Sequence, residues 1–216
     1  MEIAVLGTGM VGRTLAGAFV ELGHEVAMGS RSRDNEAAAA WSAEAGDRAS
    51  HGTYADAAAT AELVFNCTAG AASLAALAAA GSENLAGKVL VDVANPLDFS
   101  QGMPPSLFVS VTDSLGEQVQ RAFPEARVVK ALNTINHLVM VDPGRVSGEG
   151  DVFVCGDDED AKAQVHELLH GLGWADEAII DLGDISAARA TEAYLLLWLR
   201  LMGALGTADF NIKVTR

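Results

Sequence analysis

Glu2-Ile3-Ala4-Val5-Leu6-Gly7-Thr8-Gly9-Met10-Val11-Gly12 decides the fold. The unbroken apolar run Ile3–Leu6 reads as a strand covered on both faces, and a helical pattern follows over 10–22. Between them Gly7-Thr8-Gly9-Met10-Val11-Gly12 fits G-x-G-x-x-G. Alone that pattern is weak; at a strand-to-helix turn it reads as a dinucleotide fingerprint. Gly7 permits the tight turn, Gly9 removes a Cβ that would block a pyrophosphate, and Gly12 lets helix and strand pack closely. The N–H groups of Thr8, Gly9, Met10 and Val11 then face the phosphates, helped by the helix dipole.

Outward from this loop, apolar runs at 2–6, 25–29, 63–66, 89–93, 127–131 and 151–155 alternate with helical stretches at 10–22, 36–45, 70–80, 114–122 and 160–169. Alternation of this length predicts an α/β fold, a Rossmann-type doubly wound parallel sheet. Residues 1–155 form the nucleotide-binding domain in this reading. Residues 156–216, with a short β-like run at 178–181 and one long helix at about 186–206, form a small C-terminal α-rich subdomain completing the acceptor site. Asn95–Pro105, with three prolines and Gly102, reads as a flap at a strand end.

Composition narrows the partners. Of 216 residues, 14 are Lys or Arg and 29 are Asp or Glu, a net charge of −15. That sign opposes a nucleic-acid surface. The most apolar helical stretch, 194–205, contains Arg200 and falls short of the ~20 apolar residues of a membrane span. Met1 leads straight into a strand, so no signal peptide is expected. Cys67 and Cys155 read as reduced thiols, and the expected location is cytoplasmic.

The end of the second strand selects the nucleotide. An NAD site carries Asp or Glu about 20 residues past the glycines to bind the ribose hydroxyl. Here that place holds Gly29-Ser30-Arg31-Ser32-Arg33. Guanidiniums and hydroxyls suit a dianionic 2′-phosphate, so Ser30, Arg31 and Arg33 point to NADP(H) over NAD(H). Asp34 reads as a cap for the next helix. Two further loops fall at carboxyl ends of central strands, where such sheets place ligands. Cys67-Thr68-Ala69-Gly70 suits the bridge between adenosine and nicotinamide. Asn95-Pro96 suits the nicotinamide, with an Asx turn as the competing role for Asn95.

Other motifs carry less. His166-Glu167-Leu168-Leu169-His170 matches H-E-x-x-H, but it falls on an outer helix and lacks a third histidine, so solvated histidines are the preferred reading and no metal is expected. His137 reads as a satisfied loop histidine. No nucleophile elbow or obvious base lysine appears. Reduction of a ketone or alcohol calls for a general acid, whereas transfer to another ring cofactor needs only two ring faces held ~3–3.5 Å apart and dry. No catalytic side chain is therefore expected.

Taken together with Val91-Asp92-Val93-Ala94-Asn95-Pro96, Val129-Lys130-Ala131-Leu132-Asn133-Thr134-Ile135, Val154-Cys155-Gly156-Asp157-Asp158 and Asn211-Ile212-Lys213, these segments give a chain that resembles the NADPH:coenzyme F420 (deazaflavin) oxidoreductases over nearly its whole length. That family is related to the NADPH-to-flavin domain of ferric reductases. The resemblance implies that Thr8, Ser30 and Arg31 bind NADP, that Asn133 and Ile135 lie near the paired rings, and that Arg189 and Glu192 border the second cofactor. Deazaflavin-using members often have histidine at Asn133 and hydroxyl side chains at Ala193 and Leu195; Asn133-Thr134-Ile135 is similar to the flavin-reducing relatives. The expected activity is hydride transfer between NADP(H) and coenzyme F420 or a flavin-like acceptor. The alternatives are a reductase of a small organic substrate and a non-catalytic NADPH sensor. The leucine-rich stretch Leu195–Leu199 with Leu201-Met202 predicts a homodimer, against burial of that helix in its own subunit.

Overall fold

The chain runs β1 (Glu2–Leu6), α1 (Met10–Glu21), β2 (Glu25–Ser30), α2 (Glu36–Ala45), β3 (Ala49–Thr53), α3 (Tyr54–Thr60), β4 (Leu63–Asn66), α4 (Gly70–Ala80), α5 (Ser82–Leu85) and β5 (Val89–Asp92). A two-stranded hairpin, β6 (Leu97–Asp98) and β7 (Ser106–Leu107), is followed by α6 (Leu115–Ala122), β8 (Arg127–Ala131), α7 (His137–Val141), β9 (Val152–Gly156), α8 (Glu159–Gly171), β10 (Ile179–Asp181) and α9 (Ala188–Leu205). The computed structural model describes residues 1–215.

Eight strands form one sheet in the order β10-β9-β8-β5-β4-β1-β2-β3. β1 pairs in parallel with both β2 and β4, so the winding reverses between β1 and β4 and opens a crevice at their carboxyl ends. Helices cover both faces. Leu15, Phe19, Trp41, Val139 and Leu168 pack on one side, and Ala57, Leu77, Leu115 and Val119 on the other. Strands buried on both faces explain the continuous apolar runs.

The expectation of a parallel sheet needs correction at one edge. β9 runs antiparallel to β8, pairing Ala131 with Val154, and β10 then runs parallel to β9. The β8–β9 connection, residues 132–151, holds the five-residue α7 and a 3-10 turn at Pro143–Arg145. The chain enters β9 antiparallel to β8 rather than through a long crossover helix. α8, with 13 residues, does make the crossover. The predicted flap over 95–105 is the β6–β7 hairpin with its loop.

Candidate active site

α1 begins at the glycine loop with Gly9 at its N-cap, no side-chain cap and no acid in its first turn. Gly7 has φ +122°, and a Cβ there would stand 2.6 Å from the Cys67 carbonyl oxygen. A Cβ on Gly12 would fall 2.1 Å from the Gly7 oxygen, so both glycines are required by close packing. At Gly9 a Cβ would meet nothing within 4 Å, which leaves open space before the helix. Thr8 is half-buried, Met10 exposed and Val11 half-buried at this mouth.

α4 repeats the pattern, starting from Ala69 with no side-chain cap and no first-turn acid. By contrast α2, α3, α6, α7 and α8 are capped by Asn35, Thr53, Ser114, Asn136 and Asp158. Free N–H groups are thus left at α1 and α4, whose starts flank the crevice and are open to an anion.

At the end of β2, Ser30 is buried and donates its hydroxyl to the Ser32 carbonyl at 2.5 Å, shaping the turn that presents Arg31. Arg31 is exposed, with no ion-pair partner among the described residues. Its charge acts on the Tyr54 phenol, whose pKa burial raises and Arg31 partly offsets. Arg33 instead pairs with Asp56 at 2.8 Å. The structure therefore separates the two arginines: one is available, the other engaged.

A cleft of about 690 Å³ lies over the β1, β4 and β5 ends, lined by Val11, Thr68, Ala69, Ala94, Asn95 and, from the flap side, Phe99 and Phe108. It gathers the predicted Cys67–Gly70 and Asn95 loops. Pro96 is buried just beneath. Burial pushes the Cys67 thiol well above its ordinary range, and Cys155 is pushed up to about 12. Both stay protonated and unreactive.

Asn95 and Asn133 clasp each other. Asn95 donates from Nδ2 to the Asn133 carbonyl at 2.8 Å, and Asn133 donates from Nδ2 to Asn95 Oδ1 at 3.0 Å. Because Asn95 Nδ2 must face a carbonyl, its Oδ1 faces the Asn133 donor, and both amide orientations are fixed. Asn133 Oδ1 is then left buried without a partner. Leu132 beside it is buried with φ +63°, a costly backbone held at this corner. Ile135 lies almost fully buried in the adjoining core.

Behind the cleft wall is a charged network that the sequence reading missed. Lys130 Nζ, with no exposed side-chain surface, contacts Asp92 Oδ2 at 2.7 Å, Glu192 Oε1 at 2.8 Å and the Ala94 carbonyl at 2.5 Å. Burial alone lowers the Lys130 pKa, but the two carboxylates reverse this and hold it above the ordinary lysine value. Asp92 Oδ1 accepts from Asn66 Nδ2 at 2.8 Å, and Asn66 Oδ1 accepts from the Thr68 hydroxyl at 2.7 Å. Glu192 accepts from the Leu115 and Gly116 N–H groups at 2.8 and 3.0 Å, closing the start of α6. Arg189 binds Glu117 Oε2 at 2.8 Å and holds that carboxyl below its usual range. Glu192 is thus buried and Arg189 engaged, so both support the wall from behind. Glu192, expected to border the second cofactor, is buried in this structure and holds the start of α6. A lysine and an aspartate inside otherwise apolar strands were the available signal.

His137 lies at the start of α7 with Nδ1 2.8 Å from Thr14 Oγ1, lining a separate groove with Trp41. His166 and His170 both lie about 4 Å from Asp176, and among the described residues no group of three His, Cys, Asp or Glu is arranged to hold a metal. No helix among them is long and apolar enough to cross a membrane.

A glycine loop and two uncapped helix starts at the winding reversal of a doubly wound sheet define a Rossmann-type α/β fold. Residues 2–96 match the family described as NADP oxidoreductase coenzyme F420-dependent. Over the whole of both chains the structure is similar to a candidate F420-dependent NADP reductase from Arthrobacter sp. FB24, at 57% identity and a TM-score of 0.94. The F420-dependent NADP reductase of Methanothermobacter marburgensis is 31% identical over 225 residues, 98% of each chain. Metalloreductase STEAP3 of Rattus norvegicus is 30% identical over 194 residues, 89% of this chain but only 36% of that longer protein. The chain belongs to the F420-dependent NADP oxidoreductase family, and as such is an NADP-dependent oxidoreductase.

Proposed function

We propose that the protein transfers a hydride directly between NADP(H) and a planar ring acceptor, coenzyme F420 or a flavin-like molecule. The cleft itself carries this reading: it offers a phosphate cradle and apolar ring walls but no proton donor. Its ionisable lining residues are Cys67 and Asp98. The first is locked as a thiol, and the Ser100 backbone N–H holds the second below the usual carboxylate range, so neither delivers a proton near neutrality. NADPH supplies a hydride from its nicotinamide ring, the acceptor takes it up, and water supplies any proton needed.

The residues then divide the work. The N–H groups of Thr8–Val11 hold the pyrophosphate. Arg31 grips the 2′-phosphate, with Arg33 beside it and Ser30 fixing the turn. Cys67, Thr68 and Ala69 line the bridge, and Asn95-Pro96 backs the nicotinamide. The orphaned Asn133 Oδ1 asks for an N–H donor, which a carboxamide provides, and Ile135 packs behind it. Residues 156–216 complete the acceptor side through α9, whose Glu192 and Arg189 fix α6.

Two context statements belong to the same proposal. A cytoplasmic setting suits two free, protonated cysteines. A homodimer through α9 suits Leu196, Leu197 and Leu205, which are 44%, 55% and 57% exposed; light scattering at micromolar concentration should give twice the chain mass, and a monomer removes the dimer.

Purified protein with NADPH should lose absorbance at 340 nm when coenzyme F420, FMN or riboflavin is added. No oxidation with any of the three overturns the hydride-transfer reading.

A further inference from the structure

We infer that the acceptor half of the cleft is built for an uncharged ring, a flavin of the riboflavin class, and discriminates against acceptors with anionic tails. This rests on the hydride-transfer reading and narrows it. On the side facing the flap the walls are Leu74, Leu97, Phe99, Phe108 and Leu115, with Gln118. Phe99 and Phe108 are 55% and 43% exposed, so they present ring surface on which a planar heterocycle can stack.

The charge on this side has one sign. Asp98 is the charged residue among those lining the cleft, and the Ser100 N–H donates to its Oδ1 at 2.8 Å. The arginines of α6 and α9, Arg121 and Arg189, are already used. Arg121 forks onto both oxygens of Asp113, at 3.0 and 2.8 Å, and the same carboxylate takes Gln118 Nε2. Arg189 is held by Glu117. The start of α6 would attract an anion, but its N–H groups at Leu115 and Gly116 are filled by the Glu192 carboxylate and that at Glu117 by Ser114. The uncapped helix starts that line the cleft are those of α1 and α4, beside Val11 and Thr68. An acceptor phosphate or carboxylate therefore meets a carboxylate, in a chain of net charge −15, and finds no unpaired guanidinium among the described lining residues. NADP(H), though anionic, has Arg31 at its own end.

In the reaction, the nicotinamide C4–H bond breaks, the hydride's two electrons form the N5–H bond of the isoalloxazine ring, and a proton from water reaches N1. NADPH, a proton and riboflavin thus give NADP⁺ and dihydroriboflavin.

The test is kcat/KM with saturating NADPH for riboflavin, FMN and coenzyme F420, at about 20 mM and 500 mM NaCl. Riboflavin should lead at low salt. The FMN-to-riboflavin ratio should rise about threefold at high salt, as screening removes like-charge repulsion. Asp98→Asn keeps an acceptor for the Ser100 N–H and should raise the same ratio about threefold at low salt. FMN or coenzyme F420 leading at low salt overturns the inference while leaving hydride transfer standing. A ratio unmoved by both salt and Asp98→Asn also overturns it. No turnover with any acceptor removes both readings together.

Discussion

Lys130 and Arg31 are both cations at carboxyl ends of strands in one acidic protein, and they occupy opposite circumstances. Lys130 has no exposed side-chain surface and three acceptors from its own chain. Arg31 is exposed and has none among the described ion pairs. A buried charge survives only with its partners built in, because desolvation costs several kcal/mol per ion. An exposed charge with no internal partner keeps its guanidinium free for a ligand. Lys130 is therefore a fixture of the wall, joining β4, β5, β8, α6 and α9 through Asn66, Asp92 and Glu192, whereas Arg31 is a contact held in reserve.

The largest effect should come from breaking the fixture. Lys130→Met leaves two buried carboxylates without their cation and should lower stability by about 3–5 kcal/mol, read as a fall in the urea midpoint. Adding Asp92→Asn and Glu192→Gln should return a substantial part of the loss, since the neutral set no longer carries unpaired charge. A single variant within about 1 kcal/mol of wild type would erase the distinction between the two cations.

Arg31→Glu should leave the urea midpoint nearly unchanged and weaken NADPH by about 2–3 kcal/mol relative to NADH, measured by calorimetry. Arg33→Ala should cost less than about 1 kcal/mol in NADPH binding, because Arg33 is already engaged with Asp56. Equal losses from the two arginines would show that the Asp56 pair does not separate them.

The same contrast explains what the sequence disclosed. Strands buried on both faces announce themselves as apolar runs, and the glycine loop announces its turn, so β1, α1, α4 and the cleft loops were legible. β3, Ala49-Ser50-His51-Gly52-Thr53, was not: it is the sheet's other edge, with Ser50 and His51 exposed, and has no apolar run. Thr53 and Asp56 form the capping box of α3, a signal within reach that went unused. The direction of β9 was not legible either: the five residues of α7 have no strong helical period to read, and an apolar run does not show which way its strand pairs. The Lys130 network depends on side chains brought together from positions 66, 92, 130 and 192, and no local pattern encodes such a meeting. Nor does local sequence encode the left-handed backbone of Leu132, which surrounding packing imposes.

The smallest effect, and the one that sharpens the comparison most, belongs to a cation between these extremes. Arg121 is 59% exposed yet forks onto Asp113, and this bond, helped by the Gln118 contact and opposed by burial, brings the Asp113 pKa down from 3.8 to about 2. A folded-state pKa below the unfolded value means the pair contributes stability above about pH 4 and loses it as pH falls toward 2. Arg121→Ala should thus lower Tm by about 1–2 °C at pH 7, and the gap from wild type should shrink to a small part of that as pH falls to 2. Because Asp113 also holds Gln118 at the cleft, the variant should raise the KM for riboflavin modestly without moving NADPH affinity. A Tm gap that persists unchanged at pH 2 would show that Arg121 stabilises through packing of its stem, and would place it with Lys130 as a fixture of the wall.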